Sequence, residues 1–299
     1  MYLAPMKQWR FFVDTGGTFT DCIAYDPEDV VHRVKVLSSS ALRATLVAPS
    51  ENAWLIRTNW SHQAAIFAGF QLRVLGEEGI WEVLELDPVR NLLRLNRPLP
   101  ESFAGKDFEI SAGEEAPILA ARLLTQTPLH ESLPPLEMRL GSTKGTNALL
   151  EYKGAKVALL ITEGLRDLLQ IGTQQRPSLF ALNVQKPPVL YHKVLEVSER
   201  LAADGSVLQA LNETQIENWI ATAAFDECDS VAIALLHSYR NPVHEQQLQS
   251  ILAQHNIPYV SVSHQLAPEI KLLPRAQTAV VNAYLAPIME QYLQAVGDA

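Results

Sequence analysis

A double glycine between two apolar runs is the feature that most constrains how this chain folds. Residues 11–14 form an apolar run that ends in an acid, and residues 18–24 form a second run. Because successive side chains of a strand point to opposite faces, Thr18 and Thr20 are expected on one face. Gly16-Gly17 is the only adjacent glycine pair in the sequence. The pattern therefore predicts a β-hairpin with the two glycines at its tip.

The residues of this hairpin suit an anion. Glycine lets backbone N–H groups approach a ligand without a Cβ in the way, and the hydroxyls of Thr18 and Thr20 are neutral donors for phosphate oxygens. Asp14, at the end of the first run, is placed to hold Mg²⁺ through water, because Mg²⁺ keeps most of its water shell. An ordinary hairpin, in which the glycines serve only the turn, is the alternative. Spacing alone does not separate the two, because short glycine motifs often match by chance.

Residues 14–21, Asp-Thr-Gly-Gly-Thr-Phe-Thr-Asp, resemble the first phosphate loop of the actin-like ATPase superfamily. This longer form is similar to the loop of the hydantoinase A / 5-oxoprolinase family. Three later stretches agree in family order: residues 141–151, residues 163–174, and Pro268-Glu269 followed by Arg275 and residues 281–284. The resemblance covers most of the chain outside one insert. It implies an α/β fold of the actin-like (ribonuclease H-like) kind, with the chain as its N-terminal part.

The resemblance also implies a function. It indicates the N-terminal portion of an ATP-dependent 5-oxoprolinase or hydantoinase-type enzyme, in which ATP phosphorylates the oxygen of a cyclic amide before the ring is opened by hydrolysis. Its cofactors are ATP and Mg²⁺, and its partners are a cyclic amide, the remainder of the A domain and a hydantoinase B-type subunit or domain. The implied roles are Mg²⁺ binding and catalysis for Asp14, catalysis for Asp21, and phosphate binding for Gly16, Gly17, Thr18 and Thr20.

A second loop is predicted to face the substrate. Residues 141–147 lie between a predicted strand and a predicted helix, where hydroxyls and N–H groups can be aimed at an anion. It is not a Walker A loop, because Lys144 is followed by Gly145. The family usually reads Gly-Thr-Thr-x-x-Thr-Asn here, and Ser142 replaces a threonine. The substrate-side residues are Thr143, Thr146, Asn147 and the loop residue Arg176, which can hold a carboxylate in bidentate fashion. A polar helix cap and a surface arginine are the alternatives.

The pattern predicts three parts. Residues 1–40 and 113–205 are assigned to the N-terminal actin-like domain, and residues 206–299 to the incomplete start of a second α/β part. Between them, residues 41–112 contain short alternating runs separated by turn signals, which predict an inserted β-barrel or sandwich with Trp54, Trp60 and Trp81 in its core. This insert is either a partner or substrate-gating module or a decorative insertion, which costs little free energy.

Composition limits the partners and the compartment. Net charge is 24 − 33 = −9, so nothing points to nucleic acid or an anionic membrane as a partner. Cys22 and Cys228 lack metal-ligand spacing and fit a reducing compartment. Residues 1–7 show no secretory signal, and no apolar run approaches the ~20 residues that span a bilayer. These features predict a cytoplasmic location and leave a homo-oligomer open.

The segment between Gly205 and Gly297 contains no glycine. An actin-like ATPase needs a second phosphate loop and a glycine-rich adenosine loop in its second half, so we expect this chain to be part of a longer enzyme. We also expect that the chain alone neither binds ATP tightly nor hydrolyses it, because a half-site leaves the nucleotide exposed to water. Two rival functions remain: the ATP-activating subunit of an acetone or acetophenone carboxylase-like enzyme, and a non-catalytic interaction protein that keeps the fold.

Overall fold

The computed structural model of the chain describes residues 8–58, 64–175, 180, 182–183 and 186–299. The chain divides into two compact units. Unit 1 comprises the residues up to Asn147 together with Tyr292–Ala299, and unit 2 comprises Ala148–Gln291. Among the described residues, no helix has the length and apolar character needed to cross a membrane.

Unit 1 contains a four-stranded sheet that includes the predicted hairpin. Its strands are β1 (Trp9–Thr15), β2 (Phe19–Tyr25), β3 (Val31–Leu37) and β10 (Leu136–Ser142), in the spatial order β10-β1-β2-β3. β1 and β2 are antiparallel, with Asp14 opposite Asp21 and Thr15 opposite Thr20. β10 runs parallel to β1. The hairpin predicted from the sequence is therefore confirmed.

The sheet of unit 1 buries one face. Phe11 and Val13 of β1 alternate with exposed residues and join the same buried cluster as Leu119 and Ala120. The latter pair lie on α1 (Ala116–Thr125), the helix that follows the insert. Since alternate residues of each strand enter this core, the other residues of the hairpin remain on the open face.

The insert is a closed barrel of six antiparallel strands. They are β4 (Leu42–Ser50), β5 (Ala53–Arg57), β6 (Gln71–Val74), β7 (Trp81–Asp87), β8 (Leu92–Leu95) and β9 (Asp107–Ser111). Short 3₁₀ helices lie at Ala64–Phe67 and Glu101–Phe103. Trp54 and Trp81 are buried in the core, as the sequence predicts, whereas Trp60 lies outside the described residues. Closure removes the free sheet edges that short strands otherwise expose.

Unit 2 is built on a parallel sheet of the order β12-β11-β15-β16. Its strands are β11 (Val157–Thr162), β12 (Tyr191–Val197), β15 (Ser230–Ala234) and β16 (Val260–Val262), and a small hairpin joins β13 (Arg200–Leu201) to β14 (Val207–Gln209). The remaining helices are α2 (Lys144–Leu150), α3 (Leu168–Ile171), α4 (Glu213–Ala221), α5 (Val243–Gln254), α6 (Ser263–Leu266) and α7 (Leu272–Gly297). All six residues of β11 are buried, as in a parallel strand that is covered on both faces.

The structure differs from the sequence in how it groups these strands. A division at 205/206 separates β11 and β12 from β15, but β11 pairs directly with both β12 and β15. A fully buried parallel strand needs a neighbour on each edge to satisfy its backbone, and β15 is the neighbour on one of them. The sheet of unit 2 therefore crosses this position, and the compact units divide after Asn147 instead.

The starts of two helices have local causes. α2 starts at Lys144, because Ser142 Oγ accepts the Lys144 N–H at 3.1 Å and Thr143 O accepts the Asn147 N–H at 2.8 Å. α7 starts at Leu272. Pro274 lies in its first turn, where the missing N–H has no helical partner to lose.

Candidate functional site

The tip of the β1–β2 hairpin leaves two backbone donors free. The Gly16 N–H donates to Phe19 O at 3.0 Å and closes the turn. In the part of the chain that the structure describes, the N–H groups of Gly17 and Thr18 have no hydrogen-bond partner. Both residues are exposed. A Cβ added at Gly16 would lie 3.1 Å from Phe19 O, which is tight, so the turn needs glycine there. The tip therefore presents two adjacent N–H groups to solvent.

Ser38 holds this tip in place. Its hydroxyl donates to Gly16 O at 2.8 Å and lies 3.0 Å from Thr20 Oγ1, and its N–H donates to Thr18 O at 2.9 Å. Ser38 was not identified from the sequence, although the pairing of Phe19 with Leu37 places the next residue of the chain after β3 beside the hairpin tip. Thr20 is fully buried, so its hydroxyl supports the tip rather than facing a ligand. In this arrangement the Thr20 hydroxyl lies against Ser38, and its contact with a phosphate stays a prediction.

Asp14 and Asp21 lie opposite each other on the open face of the sheet. Lys35 Nζ donates to both carboxylate oxygens of Asp21 at 3.0 Å. Asp14 forms no ion pair with any described residue. Facing like charges on neighbouring strands destabilise a sheet, and Lys35 offsets only one of the two. The Asp14 carboxylate is consequently the group at this site that is left for a cation.

The second predicted loop lies beside the hairpin tip. Parallel pairing of β1 with β10 sets Thr15 against Ser142, and the Thr143 N–H donates to Thr15 O at 2.9 Å. Asn147 Nδ2 donates to Thr143 Oγ1 at 3.3 Å. A Cβ added at Gly17 would lie 3.5 Å from that Asn147 nitrogen, so the amide stands next to the glycines. The structure thus brings two of the predicted substrate-side residues, Thr143 and Asn147, to the hairpin tip.

Of the other two predicted substrate-side residues, the structure describes only Thr146. Thr146 is exposed, and its hydroxyl has no hydrogen-bond partner among the described residues. Arg176 lies outside the described residues. Lys144, which follows Thr143, is engaged elsewhere: its Nζ lies 2.8 Å from Glu115 Oε1 and 4.4 Å from the centre of the Tyr292 ring. Tyr292 is buried and was not identified from the sequence.

The donor set at the tip fits a phosphate with a hydrated cation. Two free N–H groups suit phosphate oxygens, and one or two carboxylates are what Mg²⁺ takes from a protein when it also binds substrate phosphates. Within the described ranges, no three His, Cys, Asp or Glu side chains are grouped to enclose a metal. Asp14, with Asp21 across from it, would hold Mg²⁺ on this basis. Burial raises the pKa of the Cys22 thiol to about 12, so this neighbour on β2 is not a reactive thiolate.

Unit 2 contains a second polar cluster, at the carboxyl ends of its strands. Glu245 Oε1 accepts from Ser238, Ser263 and the Leu235 N–H, at 2.8, 2.6 and 2.8 Å. Its Oε2 accepts from the N–H of His264 at 3.0 Å and lies 2.6 Å from His264 Nδ1. This carboxylate is fully buried and has no open side.

Three residues of unit 2 match positions of the family pattern. Two of them form hydrogen bonds within unit 2, and the third is exposed. Arg275 is fully buried and donates to Leu235 O at 2.6 Å, and burial lowers its pKa. Asn282 donates to Ser261 Oγ at 2.9 Å. Glu269 is exposed. None of these contacts adds to the hairpin site, which lies in unit 1.

The open hairpin tip belongs to a chain of mixed α/β fold. The sequence profile of the hydantoinase/oxoprolinase N-terminal region matches residues 10–56 and 118–256, which include both loops of the site. The chain belongs to this family. The residues between the two matched segments, 57–117, contain strands β6 to β9 of the barrel.

Curated relatives carry matching names. A 5-oxoprolinase of Dictyostelium discoideum is 37% identical over 182 residues, which cover 52% of this chain and 14% of that protein. The caprolactamase subunit alpha of Pseudomonas jessenii is 33% identical over 162 residues, covering 52% of this chain and 23% of that subunit. The match to an uncharacterised Schizosaccharomyces pombe protein covers 73% of this chain and 18% of that protein. This chain therefore spans only a small part of the proteins it resembles.

Two solved structures share the fold. An ATP-dependent caprolactamase from Pseudomonas jessenii aligns with 96% of this chain and 33% of its own, at a TM-score of 0.55 and 24% identity. A nucleotide-free acetone carboxylase aligns with 97% of this chain and 34% of its own, at a TM-score of 0.57 and 18% identity. At these identities the likeness establishes the mixed α/β fold and no more.

Proposed function

We propose that this chain is the phosphate-binding N-terminal part of an ATP-dependent cyclic amide hydrolase of the 5-oxoprolinase/hydantoinase type, with an actin-like fold. The observation that carries the proposal is the pair of free N–H groups at Gly17 and Thr18 beside the unpaired Asp14. Family membership and the names of the curated relatives support the reaction class.

The proposed chemistry is phosphoryl transfer followed by hydrolysis. The γ-phosphoryl group of ATP passes to the amide oxygen of the ring and ADP leaves. The activated carbon is then attacked by water, and phosphate leaves as the ring opens. Such transfers depend on positioning and charge neutralisation more than on covalent help from the protein. A bound Mg²⁺ supplies neutralising charge to the phosphates.

Each residue of the site has a role in this proposal. Gly17 and Thr18 hold phosphate oxygens through their N–H groups, and Gly16 closes the turn that aims them. Asp14 holds hydrated Mg²⁺, and Asp21 supports it from the opposite strand. Thr143 and Asn147 approach the same tip from the second loop and orient the group that receives the phosphoryl. Thr146 and Arg176 complete the substrate side.

The substrate and partners belong to the proposal as well. The substrate is a small cyclic amide, and the complete enzyme contains further parts, including a hydantoinase B-type subunit or domain. One relative is named as an alpha subunit, which supports a second subunit in enzymes of this kind.

In the complete enzyme, Asp14→Asn should lower lactam-dependent ATP hydrolysis by about a hundredfold, which is about 2.7 kcal/mol of transition-state stabilisation. The control Glu78→Gln changes an exposed acid in the loop between β6 and β7 of the barrel and should leave the rate unchanged.

The assay is run in parallel with 5-oxoproline, a hydantoin, and acetone plus bicarbonate. ATP hydrolysis that depends on one of the cyclic amides supports the proposal. Hydrolysis that depends only on the ketone and bicarbonate would replace it with a carboxylase. A normal rate in Asp14→Asn would remove Asp14 from the metal site, and no ATP hydrolysis with any substrate would favour a non-catalytic protein.

A further inference from the structure

Strand β3 has a free edge. Among the described residues it is the outermost strand of the unit 1 sheet and pairs only with β2. The Ser38 N–H donates to Thr18 O at 2.9 Å, so this opposite pair is hydrogen-bonded. Bonded and non-bonded pairs alternate along an antiparallel ladder. Val34 and Val36 are therefore bonded to β2, whereas Arg33 and Lys35 direct both their N–H and C=O groups outward. Leu37 directs its N–H outward as well, but its C=O accepts from the Ser40 N–H at 2.9 Å.

The free edge opens into a cleft of about 940 Å³. Residues 33–37 of β3 form one wall, and residues 41–45 at the start of the barrel form the other. Phe19 and Arg57 also line the cleft, which we call the β3 cleft. A strand added to a sheet lies about 4.8 Å from its neighbour and needs such open space along the edge.

The β3 cleft is basic, in a chain of net charge −9. Its charged lining consists of four cations and one acid: Arg33, Lys35, Arg43, Arg57 and Asp107. Lys35 is paired with Asp21 and Arg43 with Glu109. Arg33 and Arg57 form no ion pair with any described residue. Two uncompensated positive charges therefore face the cleft from opposite sides.

Basic residues on an edge strand also serve to block unwanted pairing. Basic residues with that role lie on the edge strand itself. Arg57 belongs to β5 of the barrel and also lines the cleft, so blocking of the β3 edge does not account for all of the positive charge there.

We propose that the β3 cleft binds an extended acidic peptide segment of a partner protein, which adds a strand to the free edge of β3. Backbone hydrogen bonds from Arg33, Lys35 and Leu37 supply affinity, and acidic side chains of the segment meet Arg33 and Arg57. In strand addition of this kind, backbone hydrogen bonds provide affinity, and contacts to the side chains of the added segment provide specificity. The proposal does not depend on the reaction that the hairpin site supports.

Binding is tested on the full chain by fluorescence anisotropy. The probe is a labelled ten-residue peptide of alternating glutamate and threonine, and the control peptide replaces glutamate with lysine. The acidic peptide should bind, and Arg33→Glu/Arg57→Glu should weaken binding at least tenfold. The matched double variant Arg166→Glu/Lys271→Glu makes the same charge change at exposed positions of unit 2 and should bind normally. Equal weakening in both variants, or equal binding of the two peptides, would overturn the proposal.

Amide hydrogen exchange tests the strand pairing itself. The acidic peptide should slow exchange at Arg33, Lys35 and Leu37, whereas Val34 and Val36 should change little because they are already bonded to β2. Lys35→Pro removes one outward N–H at an edge, where proline is tolerated, and should weaken binding more than Lys35→Ala does. If Lys35→Pro fails to fold, the exchange pattern decides alone. Binding without protection of the three outward amides would show that no strand is added.

Discussion

The acids of the two units are held in opposite ways. Asp14 of unit 1 is exposed and forms no ion pair with any described residue, and two free N–H groups lie at the neighbouring turn. Glu245 of unit 2 is fully buried and receives hydrogen bonds on both oxygens. A buried carboxylate without partners is costly, so its environment must satisfy it. An exposed one keeps its water and remains free to bind something else.

This difference separates structural from functional polar groups. The Glu245 carboxylate connects α5, the loop after β15 and the start of α6, and those contacts use all of its accepting directions. The hairpin tip instead uses Ser38 and Thr20 for its own support and leaves Gly17 and Thr18 open. The more polar contacts a group already has inside the protein, the less it can offer to a ligand.

The largest effect is expected at Glu245. Glu245→Gln places an amide N–H₂ where hydroxyl and backbone donors now point, so some buried donors lose their acceptor. We expect the free energy of unfolding to fall by about 3 to 5 kcal/mol, measured by urea denaturation followed by circular dichroism. The control Glu217→Gln changes an exposed glutamate that pairs with His255 and should stay within about 0.5 kcal/mol. Equal stability in the two variants would contradict a structural role.

A smaller effect, with a pH dependence, is expected at Ser263. Burial alone would raise the pKa of Glu245, but hydrogen bonds from His264, Ser263 and the backbone hold this pKa below its ordinary value. The stability that this carboxylate contributes is therefore fully present above its unfolded pKa and is lost as pH falls through its folded pKa. Ser263→Ala removes one donor, should cost about 1.5 to 3 kcal/mol near neutral pH, and should move the acid loss to higher pH.

Urea titrations at several pH values between about 7 and about 4 would measure this. Ser250→Ala removes an exposed hydroxyl on α5 that donates to Gln246 O, and serves as the matched control. An acid transition at the same pH in Ser263→Ala and in the unmodified chain would show that Ser263 does not lower the pKa of Glu245.

The smallest effect on stability is expected at Asp14. Asp14→Asn removes one of two like charges that face each other across the hairpin, so the free energy of unfolding should stay within about 0.5 kcal/mol or rise slightly. The same variant is expected to lose most ATP hydrolysis in the complete enzyme. Urea denaturation of the chain provides the check. A loss of stability comparable to that of Glu245→Gln would show that Asp14 has a structural role like that of Glu245.

Local patterns in the sequence predicted much of the fold. Two apolar runs around Gly16-Gly17 were enough for the hairpin. Residues 157–161 form a continuous apolar run, which is typical of the buried strand that they form in β11. Asn212 followed three residues later by Gln215 is typical of a helix N-terminus, and the Asn212 side chain accepts from the Gln215 N–H at 3.1 Å. Each of these features depends on residues that are close in sequence, where periodicity and turn chemistry act.

Features that depend on distant residues were less accessible. The likeness of residues 141–147 to a family motif suggested their role, but only the parallel pairing of β1 with β10 brings them to the hairpin tip. The sheet of unit 2 likewise joins strands on both sides of residue 205, where the sequence pattern changes. Pairing partners are chosen by the packing of whole elements, and a local pattern carries little information about that choice.

By itself, the sequence determined the hairpin, its glycine tip, the acids at its base and the membership of a family. Only the tertiary structure decided which of these groups can meet a ligand. Thr18 and Thr20 look equivalent in the alternating pattern, yet Thr18 is exposed and Thr20 is buried against Ser38. The physical reason is that a side chain's chemistry is set by its residue type, whereas its exposure and its partners are set by chain segments that fold against it from elsewhere.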